Sequence, residues 1–98
     1  MASNFKISTH RNDNNLHLKL AGDFDGTSAH QLLKILEKNR RGIARVFIHT
    51  SSLKQIHPIG RDVFHKSFDA MSGQHISLLF TGDSAVQLAP EGSTLLWY

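Results

Sequence analysis

Arg45-Val46-Phe47-Ile48-His49-Thr50, followed shortly by His57-Pro58-Ile59-Gly60, is the stretch on which the fold reading turns. The first run is compact, apolar and rich in β-branched and aromatic residues, the pattern of a strand covered on both faces. Ser51-Ser52-Leu53-Lys54-Gln55-Ile56 reads as a polar connection. A helix is predicted from Pro58 onward, because Ile59, Val63, Phe64, Ser67, Phe68 and Met71 are spaced to share one side of it. Proline suits the first helical turn, where its missing N–H would have had no partner anyway. A strand that feeds a helix in this way presents the helix N-terminus at its carboxyl end, where α/β proteins tend to build sites.

Upstream, Phe5 to His10 reads as a first strand and Arg11-Asn12-Asp13-Asn14-Asn15 as a turn. Leu16, Leu18 and Leu20 alternate with His17 and Lys19, the period of a strand with one better-buried face. The two strands are expected to form an antiparallel hairpin. Gly22-Asp23-Phe24-Asp25-Gly26 ends the second, and Thr27 or Ser28 is the expected cap of a helix, with Gln31 as reciprocal partner. Ala29, Leu32, Leu33 and Leu36 form its apolar side, and Gly42 is the expected stop. Downstream, Ser72-Gly73-Gln74 closes the second helix, and His75 to Phe80 reads as a fourth strand. Asp83 or Ser84 should cap a short helix that Pro90-Glu91-Gly92 terminates, and Leu95-Leu96-Trp97-Tyr98 is a fifth strand or docked tail. The order ββαβαβα(β) predicts a mixed sheet of four to five strands with three helices, in two or three layers, the parallel part joined by right-handed crossovers.

The 98 residues form a single domain, 1–98, with one core. The chain has no cysteine, which excludes disulfides and thiolate metal sites and fits a reducing cytoplasm. No apolar run approaches the roughly 20 residues that span a bilayer, and Met1-Ala2-Ser3-Asn4 leads straight into strand-like sequence, so neither membrane span nor secretory leader is expected. The net charge of +3 is too small to argue for nucleic acid. Lys34, Lys38, Arg40, Arg41 and Arg45 cluster around a helix end, where cations complement the helix dipole.

Three pieces of the chain resemble the STAS domain of bacterial anti-sigma-factor antagonists and sulfate-transporter tails. Leu18-Lys19-Leu20-Ala21-Gly22-Asp23-Phe24-Asp25 is similar to the family's strand ending in Gly-acidic-apolar-Asp, and Val46 to Leu53 to its central strand and turn. Ile56-His57-Pro58-Ile59-Gly60 stands where the family carries Ile-Asp-Ser-Ser-Gly. No counterpart of the family's usual C-terminal helix is expected within residues 1–98. The resemblance implies a STAS-like α/β fold and a non-enzymatic role: a cytoplasmic bacterial regulator of transcription that docks onto a protein partner, such as an anti-sigma factor of serine-kinase fold. In the family, phosphorylation of the first serine dissolves that complex by bringing nearly two negative charges onto a packed surface. Here that position is Pro58 and the next is Ile59, neither with a hydroxyl; the aspartate before them is His57, and one often found on the central strand is His49. Only Gly60 of the four-residue signature remains, so the usual switch cannot operate there. The expected partner-binding residues are Asp25, Thr27, Ser52, His57, Pro58, Ile59, Gly60 and Arg61; whether Thr50, Ser51 or Ser52 is phosphorylated in place of position 58 is an open alternative.

No catalytic residue, cofactor or metal is expected. The chain has no nucleophile elbow, phosphate-binding glycine loop or His-Glu-x-x-His spacing. Its seven histidines leave open a pH-responsive surface, and His49 and His57 are placed to approach one another. Gly60 points to a close approach, either inside the domain or to a partner. Trp97 and Tyr98 are expected to dock into the core. The alternative function is a small-ligand (nucleotide, lipid) or metal sensor on the same fold; an oligomerising scaffold is a third.

Overall fold

The computed structural model describes residues 4–39, 41–70, 77–89 and 94–96, with 68–70 and 94–96 described by their backbone only. Strands β1 (Lys6–Asn12), β2 (Asn15–Phe24), β3 (Arg45–Ile56), β4 (Ser77–Thr81) and β5 (Thr94–Leu96) alternate, after the opening hairpin, with helices α1 (Gly26–Lys38), α2 (Pro58–Ala70) and α3 (Ala85–Leu88). The five strands lie side by side in chain order, β1 antiparallel to β2 and every later pair parallel. Right-handed crossovers between strands laid down in one direction put each crossover helix on the same side. The result is a two-layer α/β domain, in agreement with the predicted mixed sheet and element order.

Burial along the strands shows the one-sidedness. Leu16, Leu18, Leu20 and Phe24 of β2, Val46 and Ile48 of β3, and Leu78 and Phe80 of β4 are buried on the helix side. The residues between them, such as His17, Phe47, His49 and Leu79, are only half-buried. The apolar run of β3 therefore does not mark a strand covered on both faces; Phe47 supplies the run's continuity from the open side. Ala29, Leu32 and Leu36 of α1 and Phe64 of α2 close the core from above. Phe64 stands edge-on to Phe24 (centroids 6.3 Å) and to Phe80 (6.1 Å), tying the outer helix to strands on either side of β3.

Several boundaries differ from expectation. Ser51 to Ile56 is not a loop: β3 runs through it, following β2 past two register shifts. Only Arg45 to His49 pairs with β4 as well, so the outer half of β3 has a strand on one side only, which accounts for its polar composition. The cap of α1 is Asp25 rather than Thr27 or Ser28; its Oδ1 accepts from the Ser28 backbone N–H at 2.9 Å. Helix α1 stops at Lys38, where Asn39 folds its side-chain amide onto the Ile35 carbonyl. Gly42 serves later, in the loop, at φ +76°. Ser84 occupies the cap position of α3 without a side-chain cap bond. The expectations for Met71, Ser72-Gly73-Gln74, Pro90-Glu91-Gly92, Trp97 and Tyr98 lie outside the described residues.

Phe64 is fully buried between three elements, so Phe64→Ala should cost about 3–5 kcal/mol, a large share of the roughly 5–15 kcal/mol that holds a small domain together. Urea denaturation should show the midpoint collapsing toward zero denaturant.

Candidate functional site

The carboxyl ends of β2 and β3 lie beside each other, with Phe24 opposite Ile56, so the helices that follow start together. Asp25 caps α1, and its carboxylate also lies 3.0 Å from the Ser28 hydroxyl. The chain leaves β3 through His57, whose N–H donates to the Phe24 carbonyl at 2.8 Å, and α2 begins at Pro58. Gly60 then lies against the cap of α1: a Cβ there would sit 2.7–2.8 Å from the Asp25 backbone, closer than real Cβ contacts run. The close approach expected of Gly60 is thus internal, and it joins the two helix starts.

That packing fixes what the rim displays. Gly60 is buried, whereas His57, Pro58, Arg61 and Thr27 are exposed and Asp25 is half-buried. Ile59 is 71% exposed, against the expectation that it shares the core side of α2 with Val63 and Phe64. It stands in the first turn, beyond the sheet's end, and reaches Gly26 of α1 instead of the core; its Cγ2 is 3.7 Å from where a Cβ on Gly26 would lie. Asp25, Gly26, Ile59 and Gly60 are brought together directly, with Thr27, Pro58 and Arg61 as chain neighbours. Ser52 is farther back, half-buried opposite Ala21 in the ladder. Among the hydroxyls near the lost acceptor, Thr50 is buried and donates to the Thr81 carbonyl at 2.7 Å, while Ser51 is exposed.

The open face of the sheet holds a second constellation that the sequence reading missed. His17 Nδ1 and His49 Nε2 are 3.0 Å apart, and His49 Nδ1 is 2.7 Å from the Thr81 hydroxyl, so hydrogen bonds cross β2, β3 and β4 in one line. The two imidazole planes lie within 4° of each other and their centres are 5.3 Å apart, about the most that the 3.0 Å N···N distance plus two ring radii allows. The nitrogens therefore face each other head-on. A metal held between two opposed imidazoles needs about 4 Å between nitrogens, twice a bond of about 2.0 Å. This geometry is that of a shared proton, and no group of three potential ligands converges among the described residues. His49 is engaged here rather than with His57. His17 also stacks on Phe47 (4.6 Å), and His10 on β1 adjoins it at 6.4 Å. The signal was present in the alternation of β2 and β3, but it becomes a contact only once the parallel register is known.

No family model matches the chain, and no curated protein matches it. Among solved structures it is similar to the anti-sigma factor antagonist SpoIIAA in its unphosphorylated form, with TM-score 0.66, 10% identity, and 94% of this chain and 86% of that one covered. It is also similar to an uncharacterized DUF3478-family protein with a SpoIIAA-like fold from Shewanella loihica PV-4, with TM-score 0.62, 16% identity, and coverage of 100% and 90%. A third likeness, to Mglu, has TM-score 0.66 and 19% identity and covers 88% of this chain but 20% of the larger one. The chain thus has the SpoIIAA-like fold, the STAS fold expected from its sequence.

Burial first, then the neighbouring His17 and Lys19, holds His49 below the ordinary histidine value of 6.5. The unfolded chain therefore takes up the proton first as pH falls. Stability carried by neutral His49 should be complete above pH 6.5 and decline below it until the folded protein protonates too. Urea midpoints measured between pH 7.5 and 5 (roughly the span of histidine titration) should fall in the wild type and fall less in His49→Gln.

Proposed function

We propose that this chain is a non-enzymatic regulatory protein that docks onto a protein partner through the rim formed by the starts of α1 and α2, in the manner of an anti-sigma factor antagonist but without a serine switch at that rim. The observation that carries this reading is Ile59, a large aliphatic side chain 71% exposed beside Pro58 and anchored from below by Gly60 against Asp25. Burying an aliphatic side chain of this size is worth about 1.5–3 kcal/mol. A rim set by backbone packing has little ordering left to lose on binding, so more of that gain appears as affinity. Thr27, His57 and Arg61 surround it with polar groups, the anatomy of an apolar contact with a polar border.

The likeness to SpoIIAA supports the regulatory class. Position 58 offers a partner kinase no hydroxyl, and of the three neighbouring hydroxyls Ser51 is the accessible one. Docking would accordingly be constitutive at the rim, in a cytoplasmic setting consistent with the absence of cysteine.

Affinity capture of the tagged protein from its native cell should recover a partner that Ile59→Asp loses. The apparent affinity should drop by more than about tenfold, the equivalent of 1.4 kcal/mol, while the circular dichroism spectrum stays unchanged. Equal recovery by Ile59→Asp and by an exposed control such as Lys66→Asp would refute the rim as the docking surface. Incubation with a partner kinase, followed by phosphopeptide mapping, should leave residue 58 unmodified; phosphate on Ser51 or Ser52 would restore a switch at a displaced place. A large saturable thermal shift with nucleotides, fatty acids, zinc or nickel would favour the sensor reading instead.

A further inference from the structure

We propose that the outer edge of β1, together with the groove beneath α1, takes up an extended acidic segment of a partner protein as an additional strand. The surface is separate from the rim and stands on different residues. In the sheet β1 pairs with β2 alone, so among the described residues its other edge has no strand beside it. An unpaired edge presents backbone donors and acceptors at the spacing an incoming strand needs.

The edge borders a groove of about 380 Å³ lined by Lys6 and Ile7 on the strand, by Phe5 just before it, and by Gln31, Lys34, Ile35 and Lys38 on the helix. Phe5, Ile7 and Ile35 give an apolar floor for alternate side chains of an added strand. Among the described residues, three lysines and no carboxylate line the same space. The basic character continues along α1, where Lys34 and Lys38 also line a hollow with Arg41, which Glu37 offsets only in part. Beyond Ile7 the strand is exposed on both faces, so nothing on α1 blocks an incoming chain from running along it.

Charge complementarity selects an acidic partner, and the coincidence of lysines with an open edge selects an extended peptide over a lipid. A fatty acid would use the floor and the cations but leave the backbone edge unpaired. Lysine on an edge strand also discourages pairing between like copies of the chain. The same cations that repel a second basic edge admit an acidic one.

The test uses the full chain and a fluorescein-labelled octapeptide of alternating Val and Glu, followed by anisotropy and by hydrogen exchange of the β1 amides. Saturable binding with new protection in Lys6–Asn12 is expected. Lys34→Glu combined with Lys38→Glu should weaken it at least about tenfold, and 0.5 M salt (a Debye length of roughly 4 Å) should weaken it too. N-methylation of every peptide residue should abolish it, because neither edge of the added strand could then donate to β1. Ile59→Asp should leave it intact, which keeps the outcome independent of the rim. The proposal fails if the acidic peptide does not bind or if alternating Val and Lys binds equally well. It also fails if Ile59→Asp abolishes binding, or if oleate displaces a peptide that N-methylation does not weaken.

Discussion

The strands of this sheet lie in the order in which the chain makes them, and every pair after the opening hairpin is parallel. That single constraint decides which face of the sheet is covered, because right-handed connections between successive parallel strands return on one side. The core is consequently built on one face, from the leucines of β2, Val46, Ile48, Leu78 and Phe80, closed by α1 and Phe64. The other face is left to side chains that tolerate water, and the hairpin strand β1 becomes an edge.

The rim inherits its shape from the same arrangement. Two neighbouring parallel strands end together, so the helices after them begin together, and their first turns must pack. Gly60 makes that possible by letting the backbone of α2 approach the Asp25 cap of α1 to a distance no side chain would allow. Once the two starts are in contact, residue 59 is turned away from the core and held at the surface. Pro58 fixes the backbone just before it and removes a donor that the first turn could not satisfy. An apolar, preset surface results at the place where a switchable one would carry a hydroxyl.

On the open face, polarity is organised instead of hidden. His17, His49 and Thr81 belong to three strands and bond in a line across them. The pair of imidazoles can share one proton between their facing nitrogens, 3.0 Å apart, but cannot accommodate one on each. Burial of His49, and after it the electrostatic influence of His17 and Lys19, act in the same direction, toward the neutral His49 ring.

Most of the fold was legible in local patterns. The alternation of Leu16, Leu18 and Leu20, the apolar run at Val46 and the helical spacing of Leu32, Leu36 and Phe64 each report which face of an element is buried, because burial imposes a period. Pro58 marked the start of α2 for an equally local reason. What composition misjudged depended on neighbours: Ser51 to Ile56 looked like a loop because half of β3 lacks a strand on one side, and Ile59 matched the core stripe but falls beyond the sheet's end. The partner of Gly60, the hydrogen bond between His17 and His49, and the groove between β1 and α1 join residues roughly thirty positions apart. Local periodicity carries no information about register or about which ends coincide, so these features exist only once strands have paired and helices have been laid across them.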